Sequence, residues 1–172
     1  MDAPAGLSVL NDHAPATARW LGMQVTEWDP QTMTLRASFD PPADVINFGG
    51  VIQGGFLSAM MDDVMGLNCF ISMGMKNQQA TIDLHTHFFG AVQHGRVEVE
   101  ARVVRAGKSV AFLEAELFDA KGALAARCVS SMKLRPIAEA NEQQRTLYAS
   151  RMTKPQPGAS VPATGDKETD NG

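Results

Sequence analysis

The stretch from Gly54 to Gly74, GGFLSAMMDDVMGLNCFISMG, constrains the fold more than any other part of the chain. It reads as a helix that begins at Gly55. Phe56, Leu57, Met60, Met61, Val64, Met65, Leu67, Phe70 and Ile71 cover nearly its whole circumference, and a helix apolar on most sides must be buried on most sides. Gly74 is a natural C-terminal stop. The ordered remainder of the chain reads chiefly as strands, so this helix needs a sheet curved around it.

The strand signals flank that helix. MQVTEW, the Asp29-Pro30 turn and TMTLRASF read as strand, turn, strand. DPPADVINFGG is a loop, because two prolines and two glycines leave little room for regular structure. After the helix come QATIDLHTHFF, GRVEVEARVVR, AGKSVAFLEAELFD and GALAARCVSSMKL, expected as four strands in meander. Val97, Val99, Ala101 and Val103 alternate with Glu98, Glu100 and Arg102, which gives one dry and one wet face of an antiparallel sheet. Lys121-Gly122 closes a hairpin. The expected class is α+β, an antiparallel sheet wrapped around one long central helix. Residues 1–20 read as a loop with one helical turn near Ala16 to Leu21. Residues 21–136 form the domain, 137–152 a short polar helix, and 153–172 a disordered tail. A lone curved sheet leaves two edge strands, and pairing two copies edge to edge would cover one in each, so self-association as a homodimer or homotetramer is expected.

Composition narrows the setting. A formal charge of −4 gives no electrostatic case for nucleic acid or an anionic membrane. The 44% apolar fraction is ordinary for a globular chain. The N-terminal MDAPAGLSVLNDHAP has an acid where a signal peptide would be positive. Asp62, Asp63 and Asn68 interrupt the apolar stretch and argue against a membrane span. Cys69 and Cys128 lie in apolar runs and read as reduced, buried thiols. A cytoplasmic protein is expected.

Two adjacent aspartates inside the apolar helix need a reason. One reading is structural: an acid at a subunit seam paired with a partner's cation, the other in solvent. The other is chemical. A carboxylate among apolar side chains is desolvated, which raises its pKa toward that of a useful general base. Gln53-Gly54-Gly55 precedes the helix, and free N–H groups at a helix N-terminus can hold a developing oxyanion. Thr81, Asp83, His85 and His87 alternate along one face of the following strand. Asp-x-His-x-His could in principle hold a metal, but no cysteine or third histidine is placed to help, and none is expected. Phe56, Met60, Met61 and Met65 suggest an adaptable apolar pocket or, equally, core.

The spacing of Asn47, Gly54 and Asp62, followed by GKSVAFLEAELFDAKGALAARCVSSMKL, resembles the hotdog-fold acyl-CoA thioesterases, in the branch of phenylacetyl-CoA-type enzymes. The resemblance covers roughly Leu21 to Leu134. It implies that Asp62 acts as base or nucleophile on the thioester and that Gly54 N–H meets the thioester carbonyl. It further implies that Asn47 orients water or substrate and that Thr81 assists the attacking water. Plain turn, cap and strand roles stay open for Gly54, Asn47 and Thr81. Gln53 stands where many relatives carry His; it can orient but cannot carry a proton. Gly55 belongs to the same N–H cluster, and Gly66 stands where some relatives carry a hydroxyl, which could widen an acyl pocket. Arg105, Gly107 and Lys108 sit at a strand turn that the resemblance brings near the CoA phosphates, with a solvated turn as the alternative. No cofactor is implied, since CoA is substrate and product. A dehydratase of acyl thioesters on the same fold and a non-catalytic acyl-CoA binding module remain alternatives.

Overall fold

The computed structural model describes residues 6–137. The helix expected over 137–152 and the tail expected over 153–172 lie outside the described residues but for Ile137.

Helix α1 (Gly6–Asp12) and helix α2 (Ala16–Trp20) precede strands β1 (Gln24–Asp29) and β2 (Thr34–Phe39). The expected N-terminal loop is therefore half right. The turn at Ala16 is there, but α1 adds a further helix. Asn11 explains why α1 stays in place: its Oδ1 accepts from Val25 N–H at 2.7 Å and its Nδ2 donates to Val25 O, stapling the helix to β1.

A loop with a short 3-10 turn at Ala43–Val45 leads into the long helix α3 (Gly54–Ser72). The helix ends where Gly74 (φ +68°) turns left-handed. Gly74 and Met75 N–H then donate back to Ile71 O and Phe70 O, closing the last turn. Strands β3 (Asn77–Phe88), β4 (Val97–Ala106), β5 (Val110–Phe118) and β6 (Leu124–Pro136) complete one antiparallel sheet of six strands.

The sheet order is β1-β2-β4-β5-β6-β3. This corrects the expected four-strand meander. β4, β5 and β6 run as consecutive hairpins, but β3 pairs with β6 at the far edge. β3 leaves α3 on one side of the sheet, and a crossing connection returns the chain to β4 beside β2. The edge strands, β1 and β3, each have one side without a strand partner among the described residues.

α3 lies on one face of this sheet. Leu57, Met60, Met61, Val64, Met65, Cys69 and Ile71 are buried against the inward residues Val97, Val99, Ala101 and Val103 of β4, and Leu113, Ala115 and Leu117 of β5. Met60, Met61 and Met65 are wholly buried and so belong to the core, whereas Phe56 is only partly covered. Asn68 is the polar exception. Its Nδ2 donates to Met33 O and Ala101 O, both at 2.8 Å, and its Oδ1 accepts from Ser72 Oγ. A buried amide with its bonds made ties the helix to the β1–β2 turn, where Met33 sits at φ +51°. The opposite face carries ion pairs, Arg36 with Glu27 and Glu100, Arg102 with Glu114, and Arg127 with Glu116. Exposed pairs of this kind contribute little, about 0–1 kcal/mol each.

Candidate active site

Gly54, Ser58, Asp62 and Gly66 recur every fourth residue of α3, so they share one side of the helix. That side runs along β3. A Cβ on Gly54 would come within 3.1 Å of the Phe88 ring. Ser58 Oγ donates to Thr86 Oγ1 at 3.1 Å. Thr81 Oγ1 donates to Asp62 Oδ1 at 3.0 Å. Gln79 Nε2 donates to Gly66 O at 2.9 Å. The seam between helix and edge strand is thus small and polar, while the rest of the helix meets the sheet through Leu, Met and Val. Ser58, Thr86, Gln79 and Phe88 were not singled out from sequence. The repeat of small or polar residues at every fourth helix position was the readable signal.

A bulge makes this arrangement. Thr81 pairs with Met132 and Asp83 with Ser131, so Ile82 is an extra residue without a partner on β6. Beyond it the inward residues are Leu84, Thr86 and Phe88; before it they are Gln79 and Thr81. The expected single face of Thr81, Asp83, His85 and His87 is therefore split. Thr81 faces the helix, while Asp83 is turned to the other face. Asp83 accepts from Ser131 N–H at 3.1 Å and from Ser131 Oγ, and that hydroxyl holds its carboxyl below the usual range. Among the described residues no group of three or more His, Cys, Asp or Glu could hold a metal ion.

At the other end of the seam, the N–H groups of Gly54 and Gly55 open the first turn of α3 and have no backbone partner among the described residues. Gln53 is exposed at the N-cap with its side chain making no cap bond. Asn47 is exposed in the preceding loop. Its Oδ1 accepts from Gly49 N–H at 2.8 Å, shaping the turn whose Gly50 has φ +76°. Its Nδ2 makes no hydrogen bond among the described residues. Phe48, between them, is fully exposed.

The structure brings Thr81 to Asp62 and leaves Asn47 and Gly54 apart from them. Gly54 and Asp62 are eight residues apart on one helix, a rise of about 12 Å. Arg105 and Lys108 lie exposed at the β4–β5 end, separated from β3 by β5 and β6. Gly66 contributes its carbonyl, and a Cβ there would meet only Gln79 Nε2, at 3.9 Å, so the space beside it is open.

The electrostatics differ from expectation in one respect. The carboxyl that burial pushes up, to about 6, is that of Asp63, with the neighbouring Asp62 charge adding to the effect. Asp63 sits about 100° further round the helix, away from β3. Burial likewise raises the free thiol of Cys69, to about 11, and that of Cys128, which also touches Thr86 Oγ1.

One long helix on a six-stranded antiparallel sheet of this kind is a hotdog fold. Residues 49–126 match the model of the thioesterase superfamily. The matched stretch contains Gln53, Gly54, Asp62, Thr81 and Arg105; Asn47 lies just before it. The chain is similar to a Thermoplasma volcanium protein named as a candidate esterase, 30% identical over 84 residues, or 49% of this chain and 62% of that protein. It therefore spans about three fifths of that relative's length. A solved structure from Ralstonia eutropha JMP134, described as a candidate thioesterase related to phenylacetic acid degradation, is 28% identical. The two superpose with a TM-score of 0.66 over 69% of this chain and 89% of that one. A Haemophilus influenzae thioesterase shares the fold at 14% identity, with a TM-score of 0.74 over 81% of this chain and 97% of that one.

Proposed function

We propose that the protein is an acyl-CoA thioesterase that hydrolyses an acyl-CoA to a free acid and CoA, in a site shared by two subunits. The observation that carries this reading is the separation along α3. An oxyanion donor must stand about 3 Å from the reacting carbonyl oxygen, and a base within one water of the carbonyl carbon. Gly54 and Asp62 of one helix, about 12 Å apart, cannot both do so. Gly54 of one subunit and Asp62 of a second can, if the exposed edges of two β3 strands come together. Ile82 and Phe88, apolar and half-exposed on that edge, favour such a pairing.

In this reading Asp62 takes a proton from water, which Thr81 helps to hold, and the water attacks the thioester carbon. Gly54 N–H, with Gly55 behind it at the positive end of the helix, stabilises the tetrahedral oxyanion. The C–S bond then breaks and the CoA thiolate leaves. Direct attack by the Asp62 carboxylate is the second route, giving an anhydride that water opens. Asn47 orients the substrate or water through its free amide nitrogen, and Gln53 lines the same mouth. Gly66 leaves room for the acyl group. Arg105 and Lys108 are the cations available to the CoA phosphates. The reading needs no cofactor or metal, and free thiols suit a cytoplasmic setting.

Release of free thiol from short, medium, long and aromatic acyl-CoAs tests this. Steady turnover on at least one is expected. Binding without release across the whole set would leave an acyl-CoA binding module, and hydration of an enoyl thioester without release would leave a dehydratase.

A further inference from the structure

We propose that Gln79 is a positioning residue for Asp62; the proposal rests on the reading of Asp62 as the reacting carboxylate. Gln79 and Thr81 are two residues apart on β3, both turned to the helix by the Ile82 bulge. Asp62 and Gly66 are one turn apart on α3. The strand thus holds two successive turns of the helix, Thr81 at the Asp62 carboxylate and Gln79 at the Gly66 carbonyl. A regular strand would present Ala80 and Ile82 there and could hold neither.

A packing role alone does not account for the residue. Gln79 Oε1 is buried and finds no partner among the described residues. An unpaired buried amide oxygen has lost its hydrogen bonds to water and gained none in return, which destabilises the fold. An apolar side chain would fill that space without the cost, but it could not hold the Gly66 carbonyl. Gly66 has no side chain to cover this bond, and a Cβ there would meet only Gln79 Nε2, at 3.9 Å. With the clamp gone, one hydroxyl bond at a half-exposed edge remains to set the carboxylate.

Gln79→Met keeps the length and removes the donor. The expected result is a kcat lower by about tenfold to a hundredfold, the range that misplacing a reacting group produces. KM should stay within about threefold and the thermal midpoint within a few degrees. A crystal structure of the variant should show Thr81 Oγ1 and Asp62 Oδ1 more than about 3.5 Å apart, beyond a hydrogen bond. Gln79→Glu, equally long but facing the carbonyl with an acceptor, should do the same. It stands in if the Met variant does not fold. Native kcat with the Thr81–Asp62 bond intact in either variant overturns the proposal. The structural readout separates the two claims. A wild type that turns over nothing, with the bond opened in the variant, removes the thioesterase reading and keeps the clamp. An active wild type whose variant is unchanged does the reverse.

Discussion

At the scale of single residues, the two aspartates differ in what their positions round the helix make them face. Asp62 faces β3 and Thr81; Asp63 faces away and is the carboxyl that burial raises to about 6. Asp62→Asn is nearly isosteric but cannot accept a proton, so thiol release should fall by about two to four orders of magnitude with the fold unchanged. Asp63→Asn should cost less than about fivefold, well short of the loss of a general base. An inactive Asp63→Asn beside an active Asp62→Asn would reverse the assignment. Asp63 has its effect on stability instead. Its folded pKa, about 6, lies above its unfolded value of 3.8. The protonated form is the one the fold accepts, so its contribution is complete below about pH 4 and is lost as pH rises through about 6. Asp63→Asn should flatten that slope and raise the thermal midpoint by about 2–4 °C at pH 7.5. Equal pH slopes for variant and wild type in thermal melts would refute this account.

At the scale of elements, the central helix and the alternating strand β4 were legible because their signals are local. Nine apolar residues around a helix, or Val97, Val99, Ala101 and Val103 facing one way, require no knowledge of partners. The place of β3 was not legible, since pairing with β6 across about fifty residues leaves no mark in either segment. The bulge at Ile82 was also hidden: one residue without a partner reverses which side chains meet the helix, yet TIDLH reads as regular alternation. The Asn47–Gly54–Asp62 spacing was visible through resemblance, while the hydroxyls and amide that meet the helix appeared only once the strand was in place. Deleting Ile82 should restore regular alternation and leave Gln79 and Thr81 against the helix, since Thr81 and Leu84 would then stand two positions apart and every other pair with β6 is kept. The bond from Thr81 to Asp62 should survive, so turnover should fall by less than about tenfold, short of the loss of a general base, with the far-ultraviolet circular dichroism of the parent. A folded deletion that loses turnover by about two orders of magnitude or more would mean that the bulge itself, and not only the side chains it leaves facing the helix, serves Asp62.

At the scale of the whole molecule, the proposed site needs a second copy, because Gly54 and Asp62 of one helix stand about 12 Å apart. The test is complementation between two inactive variants, Asn47→Ala and Asp62→Ala, unfolded mildly and refolded together. If Asn47 and Gly54 of one subunit face Asp62 and Thr81 of the other, one site of a mixed dimer collects both lesions. Its other site takes Asn47 from the Asp62→Ala chain and Asp62 from the Asn47→Ala chain, and is whole. Random pairing makes half of the dimers mixed, each with one of two sites restored, so roughly a quarter of wild-type turnover should return by the two-fold symmetry of the pairing. A site built within one chain returns nothing, because every site keeps a lesion. Asn47→Ala must first be shown to be nearly inactive alone, and wild type carried through the same refolding must regain its activity. With both controls met, a mixture that stays inactive removes the shared site, and the distance between Gly54 and Asp62 would then exclude them from acting on one carbonyl.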